Sequence, residues 1–279
     1  MFVTLVIAVA GGILIGLSLG ALGGGGSILA VPVLVYLLAV GPQSATSASL
    51  IIVGITSIIA AIGHACAHHV RWRAAIAFGL IGSLTAFVGS VLNRAVDPQI
   101  LLMGFAALMI VAAGAMLRRA RRERPSHPPT SSVGPKEVRP GGVALATKPA
   151  ARKVTSSQVA KLVASALVVG FLTGFLGVGG GFLIVPALVL ALGYSMPVAV
   201  GTSLVIISIT SAGAFAERLG TGAAIPWDIV VPFTLAAIVG SFAGKIISDK
   251  VSATTLTRSF AALLLVVAGY VVVQASMAL

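Results

Sequence analysis

The chain has 279 residues, 58% hydrophobic and 9% charged, with a mean hydropathy of +1.13. A soluble domain carries roughly a quarter charged residues, so this composition excludes an ordinary water-soluble fold and makes the bilayer the main solvent. The net charge of +12 is uneven: between Arg118 and Lys153 ten Lys or Arg stand against Glu123 and Glu137, a net +8.

In chain order, apolar stretches of the first half lie near 2–22, 27–40, 44–63, 74–92 and 100–117. Those of the second half lie near 158–175, 180–193, 197–215, 228–247 and 256–277. The first stretch lacks a basic leader and is longer than the apolar core of a signal peptide, so it is read as a retained helix. Most stretches are long enough for a helix rising about 1.5 Å per residue to cross about 30 Å of hydrocarbon. The stretches 27–40 and 180–193 reach only about 21 Å; each follows a glycine run, and each is either a re-entrant piece or a tilted crossing. The expected fold is an all-α polytopic membrane protein with a membrane repeat at 1–117, a basic, Pro-rich and disordered connector at 118–157, and a second repeat at 158–279.

The repeat is visible in the residues. Gly23-Gly24-Gly25-Gly26-Ser27, Pro32, the small polar cluster Gln43–Ser49 and Thr56-Ser57 return 154 positions later as Gly177–Gly181, Pro186 and Thr210-Ser211. Without a gap, 16 of 35 aligned positions are identical. An odd number of segments per half inverts one half relative to the other, the requirement for alternating access. The positive-inside rule then makes the basic connector cytoplasmic and puts the N-terminus outside, in a multi-pass protein of the inner (plasma) membrane. Gly23–Gly26 falls on the cytoplasmic side and Gly177–Gly181 on the outer side.

The glycine runs carry the functional argument. A helix beginning after such a run points unpaired N–H donors and a partial positive charge at the break, which makes an anion site from neutral residues. The candidate substrate-binding residues are Gly23, Gly25, Gly26, Ser27, Ser49, Thr56 and Ser57, with Gly177, Gly179, Gly180, Gly181, Thr202, Ser203, Thr210 and Ser211. The same residue types also let membrane helices pack closely and bond back to their own backbone. Pro32 and Pro186 read as helix-bending residues. His64, His68, Arg71 and Arg73 form a candidate anion-attracting rim, with Trp72 and Trp227 as interfacial anchors. No metal site is expected, because the histidines have no acidic or cysteine partner nearby and Cys66 is the single cysteine. No Gly-Lys-Ser/Thr follows the glycines, and no catalytic set or cofactor motif appears, so neither an enzyme nor a nucleic-acid binder is expected.

The segments Gly23 to Pro32, Gly177 to Pro186 and Ala199-Val200-Gly201-Thr202-Ser203-Leu204, with Thr210-Ser211 downstream, resemble the TauE/SafE (sulfite exporter) family. The resemblance spans nearly the whole chain outside the connector. It implies a transporter of sulfite, organosulfonates or related small anions. The first copy departs from the second, with Thr46-Ser47-Ala48-Ser49-Leu50 where Val200-Gly201-Thr202-Ser203-Leu204 stands. No apolar stretch has a central acid, which favours export driven by the membrane potential; Glu217 keeps proton-coupled uptake open, and an anion channel is the other alternative.

Overall fold

The computed structural model describes residues 2–93, 95–122, 156–176, 181–218 and 225–277. Among these there is no strand. The helices are α1 (Phe2–Leu22), α2 (Gly25–Pro32), a π-helical turn (Val33–Leu37), α3 (Pro42–Cys66), α4 (Trp72–Asn93), α5 (Pro98–Arg122), α6 (Ser156–Leu176), α7 (Gly181–Leu190), α8 (Met196–Arg218), α9 (Trp227–Lys250) and α10 (Ala253–Met277). All but α2 and α7 are long and apolar enough to cross a bilayer, eight helices in all among the described residues. Lipid offers no hydrogen bonds, so each segment closes its backbone bonds within its own helix. Large apolar side chains such as Leu84, Val111, Val239 and Val266 stand on the outer surface, where lipid rather than water meets them. The protein is thus an all-α polytopic membrane protein. Helix α5 runs five residues into the stretch expected to be the connector; residues 123–155 lie outside the described residues.

The two short pieces have a common construction. Pro32 lacks an N–H, and the ladder widens into the π-turn directly after it. Leu34 then accepts from Val40 N–H at 3.0 Å, and Leu188 accepts from Tyr194 N–H at 3.1 Å, at positions 154 apart. Between those partners the chain turns through the left-handed region at Ala39 (φ 53°) and at its counterpart Gly193 (φ 70°).

Small residues set how the long helices meet. Gly12, Gly16 and Gly20 of α1 face Phe233, Ala237 and Ser241 of α9, so the two helices run parallel and their backbones approach closely. Gly170 and Gly174 of α6 meet Gly82 and Ala86 of α4 in the same parallel sense. Each half therefore packs its first long helix on the fourth piece of the other half. In contrast α3 and α8, which occupy equivalent positions, run antiparallel: a Cβ on Gly54 would lie 3.3 Å from Ser211, and one on Gly201 would lie 3.0 Å from His64. The ends of the bundle differ in charge. Arg71 before α4, Arg73 in its first turn, the arginines ending α5, and Lys245 and Lys250 with Asp249 at the end of α9 share one end; Asp97, Glu217 and Asp228 with Arg218 lie at the other.

Candidate functional site

Gly23 ends α1 with φ 70°, its N–H bonded to the Leu19 carbonyl at 2.8 Å. This left-handed turn reverses the chain, so α2 runs back along α1, with Gly26 against Ile15 and Leu19. The starts of the two short helices, expected on opposite sides of the membrane, instead meet in the interior, because each short helix begins where its glycine run breaks the chain within the bundle. A methyl group on Gly24 would overlap the Gly181 carbonyl, and one on Gly181 would overlap the Ser27 hydroxyl. Only glycine lets the two backbones approach this closely. The N-terminus of α2 has no side-chain cap, which leaves its first N–H groups and its partial positive charge for another partner.

A cavity of about 160 Å³ opens beside this junction, far larger than the roughly 10–15 Å³ that one water needs. Its walls include Ser27 of α2, Thr46 and Ser49 of α3, Ser83 and Ser90 of α4, Thr173 of α6, Gly181 of α7, and Thr210, Ser211, Glu217 and Arg218 of α8. Glu217 is exposed and Arg218 half-buried, so the cavity reaches the end of the bundle where Asp97 and Asp228 lie. Most of its hydroxyls donate to their own helix: Ser27 to Gly24 at 2.7 Å, Ser49 to Thr46 at 2.8 Å, Thr173 to Val169 at 2.6 Å and Thr210 to Ile207 at 3.1 Å. In this arrangement they turn lone pairs, rather than protons, toward a ligand. Ser83 is different. Its hydroxyl is buried and has no partner.

Of the residues singled out by sequence, Ser27, Ser49, Gly181, Thr210 and Ser211 come together on this cavity. Gly177, Gly179 and Gly180 lie outside the described residues. Gly25 packs under Leu263, and Gly23 packs on Val200 and Ser203. Thr56, Ser57, Thr202 and Ser203 are fully buried and do not line the cavity. The Thr202 hydroxyl accepts from the Arg71 backbone N–H at 3.2 Å, and Ser203 donates to the Val200 carbonyl at 2.8 Å. The structure also separates the histidine rim. His68, Arg71 and Arg73 are exposed, whereas His64 is fully buried, and its Nε2–H donates to the Gly20 carbonyl at 3.0 Å. Tyr194 sits near Arg71 in the loop before α8; burial pushes its hydroxyl pKa up, and Arg71 pulls against that rise.

Sequence reasoning did not select Thr46, Ser83, Ser90, Thr173 or Arg218 for the site. Thr46 lay within the polar cluster it did mark, and Arg218 follows Glu217 just past an apolar stretch. Ser83 and Ser90 are seven residues apart on one helix face, a spacing that small packing residues share. Among the described residues no group of three His, Cys, Asp or Glu side chains is placed to hold a metal ion.

A family model described as Sulfite exporter TauE/SafE matches residues 8–271. A probable membrane transporter protein of Xylella fastidiosa (strain Temecula1) is 33% identical over 277 residues, covering 96% of this chain and 95% of the relative. The probable membrane transporter protein YunE of Bacillus subtilis (strain 168) is 26% identical, covering 90% of this chain and 91% of its own. MJ0441 of Methanocaldococcus jannaschii, another probable membrane transporter protein, is 26% identical over 74% of this chain and 71% of its own. No solved structure matches the chain. With nearly every described helix inside the matched region, the chain belongs to the TauE/SafE sulfite exporter family of membrane transporters.

Proposed function

We propose that the protein moves small anions, sulfite or organosulfonates among them, across the cytoplasmic membrane by alternating access between two inverted halves, in the direction of export. The observation that carries this reading is the meeting of α2 and α7 beside a cavity whose walls combine Ser27 near the start of α2, Gly181 at the start of α7, the Ser83 hydroxyl and Arg218. Oxyanions suit these groups, because N–H donors and a guanidinium fork match the geometry of their oxygens. The antiparallel pairing of α3 with α8 supports the inverted relation, since those helices stand at equivalent positions of the repeat. The positive-inside rule places the basic end in the cytoplasm and the cavity mouth outside. Export follows from the energetics: an inside-negative potential drives an anion outward by about 2.3 kcal/mol per charge per 100 mV.

A second reading, proton-coupled uptake, is favoured by Glu217, the acidic residue on the cavity wall. Purified protein in proteoliposomes, assayed with labelled sulfite, sulfate, a taurine-like sulfonate and a carboxylate, tests both. Saturable counterflow of sulfite or sulfonate without a pH gradient is the expected result. Flux that reverses with an imposed pH gradient, and loses that response in Glu217→Gln, would replace export with coupled uptake. Single-channel currents without counterflow would replace both with a channel.

A further inference from the structure

The open cavity has a counterpart that is shut. Moving each wall residue by 154 positions turns Ser49 into Ser203, Thr210-Ser211 into Thr56-Ser57, Gly174 into Gly20 and Arg218 into His64. On the open side Gly174 and Arg218 both line the cavity. On the shut side their counterparts touch, because the His64 ring bonds the Gly20 carbonyl at 3.0 Å. Ser49 likewise borders open space, whereas Ser203 is sealed against Gly23.

The shut side also holds polar groups that its packing does not satisfy. The hydroxyls of Thr56 and Ser57 and the Nδ1 of His64 are buried without a hydrogen-bond partner, and all three residues are 0% exposed. A membrane serine or threonine ordinarily donates to the carbonyl three or four residues back, as Ser203 and Thr210 do here. Thr56 and Ser57 do not. Ser83 is the other hydroxyl of this kind among the described residues, and it borders the open cavity. Unpartnered buried hydroxyls are costly where they serve packing alone, and useful where a ligand arrives to satisfy them.

We propose that Thr56, Ser57 and His64 form a second oxyanion half-site, occluded in this structure, with the His64–Gly20 hydrogen bond as its latch. The proposal rests on the transport reading above and names the parts of its other conformation. When α3 and α8 part at the basic end, His64 leaves Gly20 and takes the place that Arg218 holds on the open side. The two hydroxyls then become donors to the anion. The anion thus passes between a wall headed by Arg218 and one headed by His64.

Single cysteines in a Cys66→Ser background test this. Ser57→Cys and Ala60→Cys report the shut side; Ser211→Cys reports the open one. In purified detergent-solubilised protein, where both ends of the bundle are accessible, a hydrophilic thiol reagent should label Ser211→Cys readily and the other two slowly. Adding His64→Ala should speed labelling of both Ser57→Cys and Ala60→Cys by about tenfold or more, and methanesulfonate should slow it again. His64→Gln, which can still donate to Gly20, should restore slow labelling. Equal rates with and without His64→Ala, at either position that inserts, would overturn the latch. Faster labelling that methanesulfonate leaves unchanged would overturn the half-site. The transport reading fails separately, if wild-type proteoliposomes move no labelled sulfite or sulfonate while His64→Ala still exposes Ser57→Cys.

Discussion

Two regions of the molecule share a sequence pattern and differ in state. Around Thr210-Ser211 the walls stand apart: Arg218 and Glu217 reach the mouth, and Ser49 and Ser211 retain about 6% exposure. Around Thr56-Ser57 the equivalent walls are in contact, with Thr56, Ser57, Ser203 and His64 at 0%. The substitutions at the mouth agree with this difference. Glu217 and Arg218 bring charge that holds water, whereas their counterparts are Gly63, against which the Lys245 stem packs, and His64, whose ring fits beneath Gly20. The repeat thus supplies the same small hydroxyl residues twice, and in this structure one copy borders the cavity while the other is packed.

The largest expected effect comes from the place where the two halves touch. Gly24→Val puts a side chain into the Gly181 backbone; overpacking of this kind costs about 1–3 kcal/mol, and here it also displaces the uncapped N-terminus of α2. Transport in proteoliposomes should be abolished, and gel filtration will show whether the variant stays monodisperse; full activity would remove the glycine junction from the site. Next, Arg218→Gln should weaken sulfite or sulfonate binding by about 10- to 100-fold, since a hydrogen bond to a charged group contributes about 1.5–3 kcal/mol. Arg218→Lys should recover part of it, and an unchanged half-saturation concentration would detach Arg218 from the anion.

Hydroxyls on the open wall give a smaller contrast. Ser83→Ala should lower affinity about fivefold, the loss of roughly 1 kcal/mol, because its proton has no other acceptor. Ser49→Ala should change affinity less, because Ser49 already donates to the Thr46 carbonyl. Equal effects in a binding titration would mean that hydroxyl orientation does not matter. The smallest effect concerns the turn after each short helix. Gly193→Ala should lower thermal stability by about 1 kcal/mol, and Ala39→Gly should raise it by a similar or smaller amount, because both positions are left-handed. Opposite signs in a thermal-shift assay would show that the two turns are strained alike.

Much of the architecture is legible in the amino-acid sequence. The ten apolar stretches correspond to α1 through α10, and 27–40 and 180–193 correspond to the two short pieces, because lipid permits little but helix and length alone separates spans from partial crossings. The site was less legible. Thr56-Ser57 and Thr210-Ser211 are identical pairs at equivalent positions, yet one pair is packed and the other borders a cavity. His64 read as part of an exposed rim with Arg71 and Arg73, and the fold buries it under Gly20. No local rule separates such cases, because a small hydroxyl residue serves packing and binding equally well in a membrane.

The sequence by itself determined the solvent, the helices, the two glycine breaks and the repeat of 154 residues, since each depends on composition and local backbone chemistry. Only the tertiary structure decided that Gly24 meets Gly181, that Ser83, Thr173 and Arg218 join the cavity, and that the Thr56-Ser57 side is shut. Those outcomes depend on how helices far apart in the chain rotate and slide against one another. That is set by the fit of whole faces, such as α1 on α9 and α3 on α8, and not by any single residue within them.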